Sequence, residues 1–503
     1  MKKNITLIVF IALITTIKAQ VSSLSNLASG ELKTFTAIPE LDGSIYGYFS
    51  IYRLENVSET EEKFEYFLLD KNLNKVANGE FIDIKYKKFE SKFYYPEKIK
   101  NKLIISKAYF YSGSATVFRR SPEEYTFVSH RFFDIENNKV SEPFYYKNNE
   151  IIKGTRPVKK IIKTAKKEKT IDFPLVYNDG FFMFERVKGS SNDLKEMKSL
   201  KAFDIDKKLK WEYEYNPSNE KIIYDFRVLN NKAIIFRTFN KKTKVIKLHS
   251  LDPKTGNPNF VYELENRSSE YSHNYKIETV NDKIVIIGKM SPYKSYTGYD
   301  YEKSLGFFKI ELDKLGNEIS KNYFKWEDAV NYIDIKKNGK LKKGYKLASR
   351  QYFVFKNGTI SILTEKVKKV KRTDFVILNF DKDFKLTSTE TIEKPKNIYN
   401  SSYLFSQKVE DGNGVAFFYK YTKKAKKEFK FIRVMAIGTG ITTLNATLGI
   451  VTIINGKINK EEIPMSSKEY TISPYIAKEG YILFREFNKN SNYDEIRLEK
   501  LNY

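Results

Sequence analysis

The sequence of 503 residues has no cysteine, three histidines and two tryptophans. Without cysteine there is no disulfide, no thiolate metal site and no thiol-linked lipid anchor behind an export signal. His130, His249 and His273 follow no H-E-x-x-H spacing, and zinc chemistry needs ligands that converge with defined spacing. A G-x-S-x-G nucleophile elbow is also missing. The glycines of "AIGTGITTLNATLG" (436–449) form neither a G-x-G-x-x-G nor a Walker lysine pattern. "DIDKKLKWE" lacks the glycine and the closing glutamate of a calcium loop. The motifs therefore imply no metal, no cofactor and no catalytic residue.

Acidic residues are few beside basic ones, 62 against 89, for a formal charge of +27. Such a field attracts polyanions. The excess runs along the whole chain, however, in company with abundant Asn, Ile, Phe and Tyr, all served by A/T-rich codons. Lysine of that origin bears on solubility more than on specificity.

At the start, Lys2 and Lys3 precede an apolar run from Ile5 to Ile17, with Ala19 as a small residue ahead of Gln20. This is the layout of a cleavable signal peptide. The run is shorter than the roughly 20 residues a spanning helix needs. We expect a leader over 1–19 and a single domain over 20–503. We also expect a periplasmic or extracellular location without a lipoprotein anchor, no intracellular nucleic-acid partner, and a monomer. The uncharged stretch 434–454 is long enough to span a bilayer. Its three glycines, five threonines and many β-branched residues favour strands instead, so no transmembrane span is expected in the mature chain.

What the chain has in quantity is a recurring grammar of turns. An apolar entry, an Asp, three to five turn residues and a second strand-like run recur around Asp70, Asp134, Asp204, Asp252, Asp313 and Asp381. Asn455 takes the same place in a divergent copy. Asp and Asn suit such turns because their side chains cap the backbone and tolerate left-handed φ. A second hairpin type alternates with the first, its turns ending between Gly43 and Gly480 at a mean spacing of about 62 residues. That exceeds the roughly 40–50 residues of common propeller repeats. The runs after these turns, such as "KIVIIG" and "VAFFYKY", are apolar at consecutive positions, as in strands buried on both faces.

Two hairpins per unit predict an all-β fold, a β-propeller of eight four-stranded blades. Its approximate limits are 31–95, 96–165, 166–218, 219–268, 269–330, 331–396, 397–468 and 469–503. The last unit lacks an Asp turn and outer strand, so the N-terminal segment after Gln20 is expected to close it. A lumen-filled outer-membrane barrel would alternate apolar and polar residues, which these runs do not.

The stretch "SLDPKTGNPNF" resembles the outer hairpin of quinoprotein-type propellers, on Asp252, Thr255 and Gly256. "AFDIDKKLKWEYEY", with Trp211, is similar to it. The other copies lack the Thr-Gly pair. In that family these residues build turns, so the resemblance implies a fold and no quinone cofactor. The unit 43–76 resembles secreted bacterial β-repeat proteins, which implies export and a propeller-like fold.

Two connections stand out as binding candidates. One is 289–303, with Tyr293, Lys294, Tyr296, Tyr299 and Tyr301; the other is 111–125, with Arg119 and Arg120. Tyrosine gives rigid amphipathic contact area, and scaffold loops often carry function. The leading expectation is a non-enzymatic binding or scaffold propeller for a protein partner or an anionic polymer or glycan. The alternatives are a polysaccharide-active enzyme using axial carboxylates, and adhesion to anionic surfaces.

Overall fold

A computed structural model describes residues 20–502 apart from 113–123, 155–172, 187–196, 265–270, 291–303, 424–444, 466–470 and stretches of one to four residues. The described chain is a succession of antiparallel sheets, each entered at its inner strand and left at its outer one. Burial falls along that path. In the fifth sheet the second strand, Lys283–Met290, is buried at Ile284–Gly288, whereas the outer strand of the fourth, Pro258–Leu264, alternates exposed and half-buried residues until Leu264. Consecutive apolar residues thus mark the middle of each sheet, and mixed sequences its rim.

The first sheet spans 31–84, the second 90–153, the third 175–214, the fourth 222–264, the fifth 271–325, the sixth 346–398 and the seventh 403–464. A closing sheet joins 471–500 to 20–23. Each face packs on the next sheet, and the cores form a cycle. Phe49 of the first sheet meets Phe133 of the second edge-on, and Phe132 of the second meets Phe181 of the third. Phe184 then meets Phe236, Leu248 shares a core with Ile286 and Phe307 meets Tyr352 of the sixth sheet edge-on. Phe375 and Phe417 continue the ring, then Phe418 and Phe484. Leu498 of the closing sheet returns it to Tyr48 of the first. Sheets packed face to face around an axis in sequence order are a β-propeller.

The expectation of eight four-stranded blades is corrected: seven sheets have the four-strand path, the sixth with a two-residue strand added, and the second sheet does not. Its seven strands come from breaks and an addition. The inner position is split into Glu90–Phe93 and Glu97–Ile99 on either side of Pro96. The fourth position is split into Lys139–Val140 and Phe144–Lys147 on either side of Pro143. Proline cannot donate to a ladder, so each break falls where one stands. A further strand, Glu150–Lys153, pairs outside them.

The closing sheet takes its outer strand from the other end of the chain, Gln20–Ser23 running antiparallel to Tyr493–Lys500 with Gln20 opposite Leu498. Among the described residues no helix is long and apolar enough to cross a membrane.

Candidate functional site

In each four-stranded sheet the inner-to-second and third-to-outer turns lie at one end of the strands. The third-to-outer turns form a regular belt. Asp252 Oδ1 accepts the N–H groups of Lys254 and Thr255, both at 2.8 Å. Asp70, Asp204, Asp313 and Asp381 each take the N–H groups two and four residues on, at 2.7–3.0 Å. Leu73, Lys207, Gly256, Gly316 and Phe384 then turn through positive φ, each beside a bulge in the ladder. At Leu73, Lys207, Gly316 and Phe384 this is the type I turn with a left-handed fourth residue, whereas the Asp252 turn is one residue longer, with Gly256 fifth and its N–H donating to Asp252 O at 2.9 Å. Asn455 and Gly456 make the tighter two-residue version.

Two of these turns dock the neighbouring sheet. Trp211 lies on Gly256, where a Cβ would come within 2.4 Å of the indole, and Trp211 Nε1 donates to Pro253 O at 3.2 Å. Phe260 lies on Gly316 in the same way, again at 2.4 Å. The residues that carry the quinoprotein resemblance therefore fasten sheets together.

Seven sequence-predicted site residues, Tyr293, Lys294, Tyr296, Tyr299, Tyr301, Arg119 and Arg120, lie outside the described residues. The described cavity that stands out is at the axis. It encloses about 710 Å³ and is walled by the inner hairpins of the first, fifth, sixth, seventh and closing sheets. Its charges are Lys276, Lys356 and Lys408 against Asp42, Glu278, Asp411 and Glu479. Glu278 stands between Lys276 at 2.6 Å and Lys408 at 3.6 Å, and Lys276 also donates to Tyr352 O at 3.1 Å across the sheet boundary. Asp411 pairs with Lys356 at 2.7 Å, and its N–H donates to Glu479 at 2.6 Å. The side-chain and backbone hydrogen bonds from Ser44 hold the Asp42 carboxyl below its ordinary value.

The rim is strained where it is most charged. Glu410, Asp411 and Gly412 have φ of 52°, 50° and 83°, three left-handed residues in a row. For residues with a Cβ this costs roughly 1–2 kcal/mol each, and the contacts of Asp411 hold it there. Sequence reading had these residues only as turns. A usable signal was there: charges of both signs at the turns 281–283, 356–358, 411–414 and 478–480.

The histidines with described side chains are structural. Burial pushes the His130 imidazole down to about 3, with Ser106 Oγ at 2.9 Å from Nδ1. Burial, then the charge of Lys247, lowers His249 to about 4, and Tyr213 and Thr238 hold its two nitrogens at 3.1 and 2.9 Å. Glu97, on an inner strand of the second sheet, is pushed up to about 7 by burial, against one N–H from Val176. Two buried carboxylates fasten strands. Glu365 is reached by Arg350 at 2.7 Å and Lys394 at 3.0 Å, and Asp83 by Arg131 at 2.7 Å and Lys107 at 3.1 Å. Among the described residues no three His, Asp or Glu side chains gather as a metal site would require.

No family model matches the chain, and neither does any curated protein sequence. Solved structures similar to it include an oligogalacturonate lyase in complex with manganese, at 8% identity over 94% of this chain and 98% of that one, with TM-score 0.35. A europium-containing methanol dehydrogenase matches at 9% over 81% and 78%, TM-score 0.31. A prolyl endopeptidase matches at 8% over 89% of this chain, TM-score 0.35, and the chain spans 54% of its length. Likenesses this weak carry no activity across, and the propeller arrangement rests on the strand pairing and cores above.

Proposed function

We propose that the chain is an exported binding propeller that takes part of a protein or polymer partner into the axial pocket without transforming it. The export half rests on Lys2, Lys3, the apolar run to Ile17 and Ala19. The binding half rests on one observation: five sheets that share no charged sequence at their inner hairpins converge on a cavity lined by charges of both signs. A concave site with convergent polar groups on a rigid scaffold is how binding pockets are built. Its four carboxylates and three lysines leave it slightly acidic in a chain of +27, so it suits a ligand with charges of both signs better than a polyanion. Arrays of defined glycans and peptides, probed with the parent chain and with Lys408→Ala and Glu278→Gln, test this. Binding lost in both variants supports it, and binding indifferent to both overturns it.

The same four carboxylates motivate a second reading, cleavage of a polysaccharide by an acid–base pair. General acid catalysis wants a carboxyl that keeps its proton near neutrality. In this pocket Glu278 is bracketed by two lysines and Asp42 is held ionised. Turnover on a glycan panel that Glu278→Gln abolishes would establish this reading over the first.

A further inference from the structure

We infer that the partner is a polypeptide segment. Its backbone and charged groups occupy the axial pocket, and one large apolar side chain enters a second cavity between the fourth and fifth sheets. This rests on the binding reading above. The second cavity encloses about 380 Å³ at the same end of the ring, and Ala233, Ile235, Ile284 and Leu315 give it apolar walls.

Thr279 belongs to the walls of both cavities. It lies on the inner strand Tyr271–Val280, where side chains alternate. Ile277 packs with Ile235 and Leu248 of the fourth sheet, which sets Thr279 toward that sheet, while Glu278 meets lysines of the axial pocket. Thr279 Oγ1 is buried and has no hydrogen-bond partner among the described residues. The hydroxyl itself is out of reach of a ligand, so Thr279 marks where the two cavities adjoin, and the contacts to a bound segment come from the residues around it. At the mouth of the second cavity Leu315 is 64% exposed, beside Lys314.

The chemistry separates a polypeptide from a glycan. A pyranose carries hydroxyls all round its rim, and inserting one between Ile235 and Ile284 leaves those that face them unpaired. A polypeptide alternates polar backbone with apolar side chains, which is the alternation the two cavities present. Its charged groups of both signs complement a pocket that has lysines and carboxylates side by side.

Calorimetric titration of the purified chain with the hexapeptides Lys-Gly-Gly-Xaa-Gly-Glu, where Xaa is Gly, Ala or Leu, tests this, with cellohexaose as the sugar probe. The Leu peptide is expected to bind roughly tenfold tighter than the Gly peptide, with Ala between. Leu315→Asp, at an exposed position, removes that preference, and Asn259→Trp, which fills the mouth from the outer strand, does the same. Lys408→Ala weakens every peptide alike. Thermal melts confirm that each variant is folded. Equal affinity for the three peptides, a preference unmoved by both mouth variants, or tighter binding of cellohexaose overturns the inference. Peptides that need Lys408 but ignore Xaa overturn it while sparing the binding reading. If neither the peptides nor cellohexaose bind in a Lys408-dependent way, both fall.

Discussion

The belt of third-to-outer turns and the ring of inner hairpins sit at the same end of the same sheets, yet they follow different rules. In the belt the same device returns: an Asp that caps two N–H groups, a left-handed residue and a bulge. On the inner ring the turns differ from sheet to sheet, carry charges of both signs and in one case run three left-handed residues together. The repetition specifies how sheets are made and docked. The variation is where a particular ligand can be specified.

If that division is right, substitutions in the belt cost stability and substitutions at the axis cost binding. The largest effect is expected from Gly256→Val, which adds a Cβ at φ +74° against the Trp211 ring. Backbone strain and overpacking together predict a loss of roughly 3 kcal/mol in denaturant unfolding. In a Trp211→Ala background the same substitution should cost less, because the two residues touch.

Next comes Glu97, an inner-strand group that works against the fold. Its folded carboxyl titrates near 7 because of burial, above its unfolded value. Between those two values the folded state holds a proton the unfolded state has released, so stability falls as pH rises across that window and then levels off. Glu97→Gln should therefore be more stable than the parent above pH 7, on the order of 1–3 kcal/mol, with the gap closing toward the ordinary glutamate value. Melting temperatures across pH measure this directly.

Asp252→Ala should cost about 1–2 kcal/mol through two lost backbone caps. Partial burial raises the Asp252 carboxyl, but hydrogen bonds from Thr255 and Lys254 outweigh it and hold it low. Its contribution is present at neutral pH and is lost as pH falls through its folded value, the opposite sense to Glu97. Smallest of all, Lys408→Ala should stay within about 0.5 kcal/mol of the parent in unfolding, since Lys408 itself is exposed and Glu278 keeps its closer partner Lys276, while binding weakens. A large loss of stability there would blur the comparison between belt and axis.

The propeller was legible because its turns obey local rules. Asp at the first turn position and doubly apolar runs after Gly43 or Asn413 both follow from backbone geometry and burial alone. The second sheet was misread as an ordinary four-stranded blade although Pro96 and Pro143 were in plain view. Their effect depends on which ladder each would have to donate to, and pairing is not written locally. The axial pocket was legible only as a set of charged turns, for a stronger reason. Asp42, Glu278, Asp411 and Glu479 are brought together only by the ring, and no spacing in the chain marks them as neighbours.

The closing sheet has a consequence for biosynthesis. Gln20 leaves the ribosome 478 residues ahead of its partner Leu498 (498 − 20). At about 5–20 residues per second this strand waits tens of seconds with its ladder unpaired. During that wait any other open sheet edge is a competing partner. The order of synthesis thus makes this strand the last to dock, and it is the latch that a chaperone would have to keep from closing on the wrong edge.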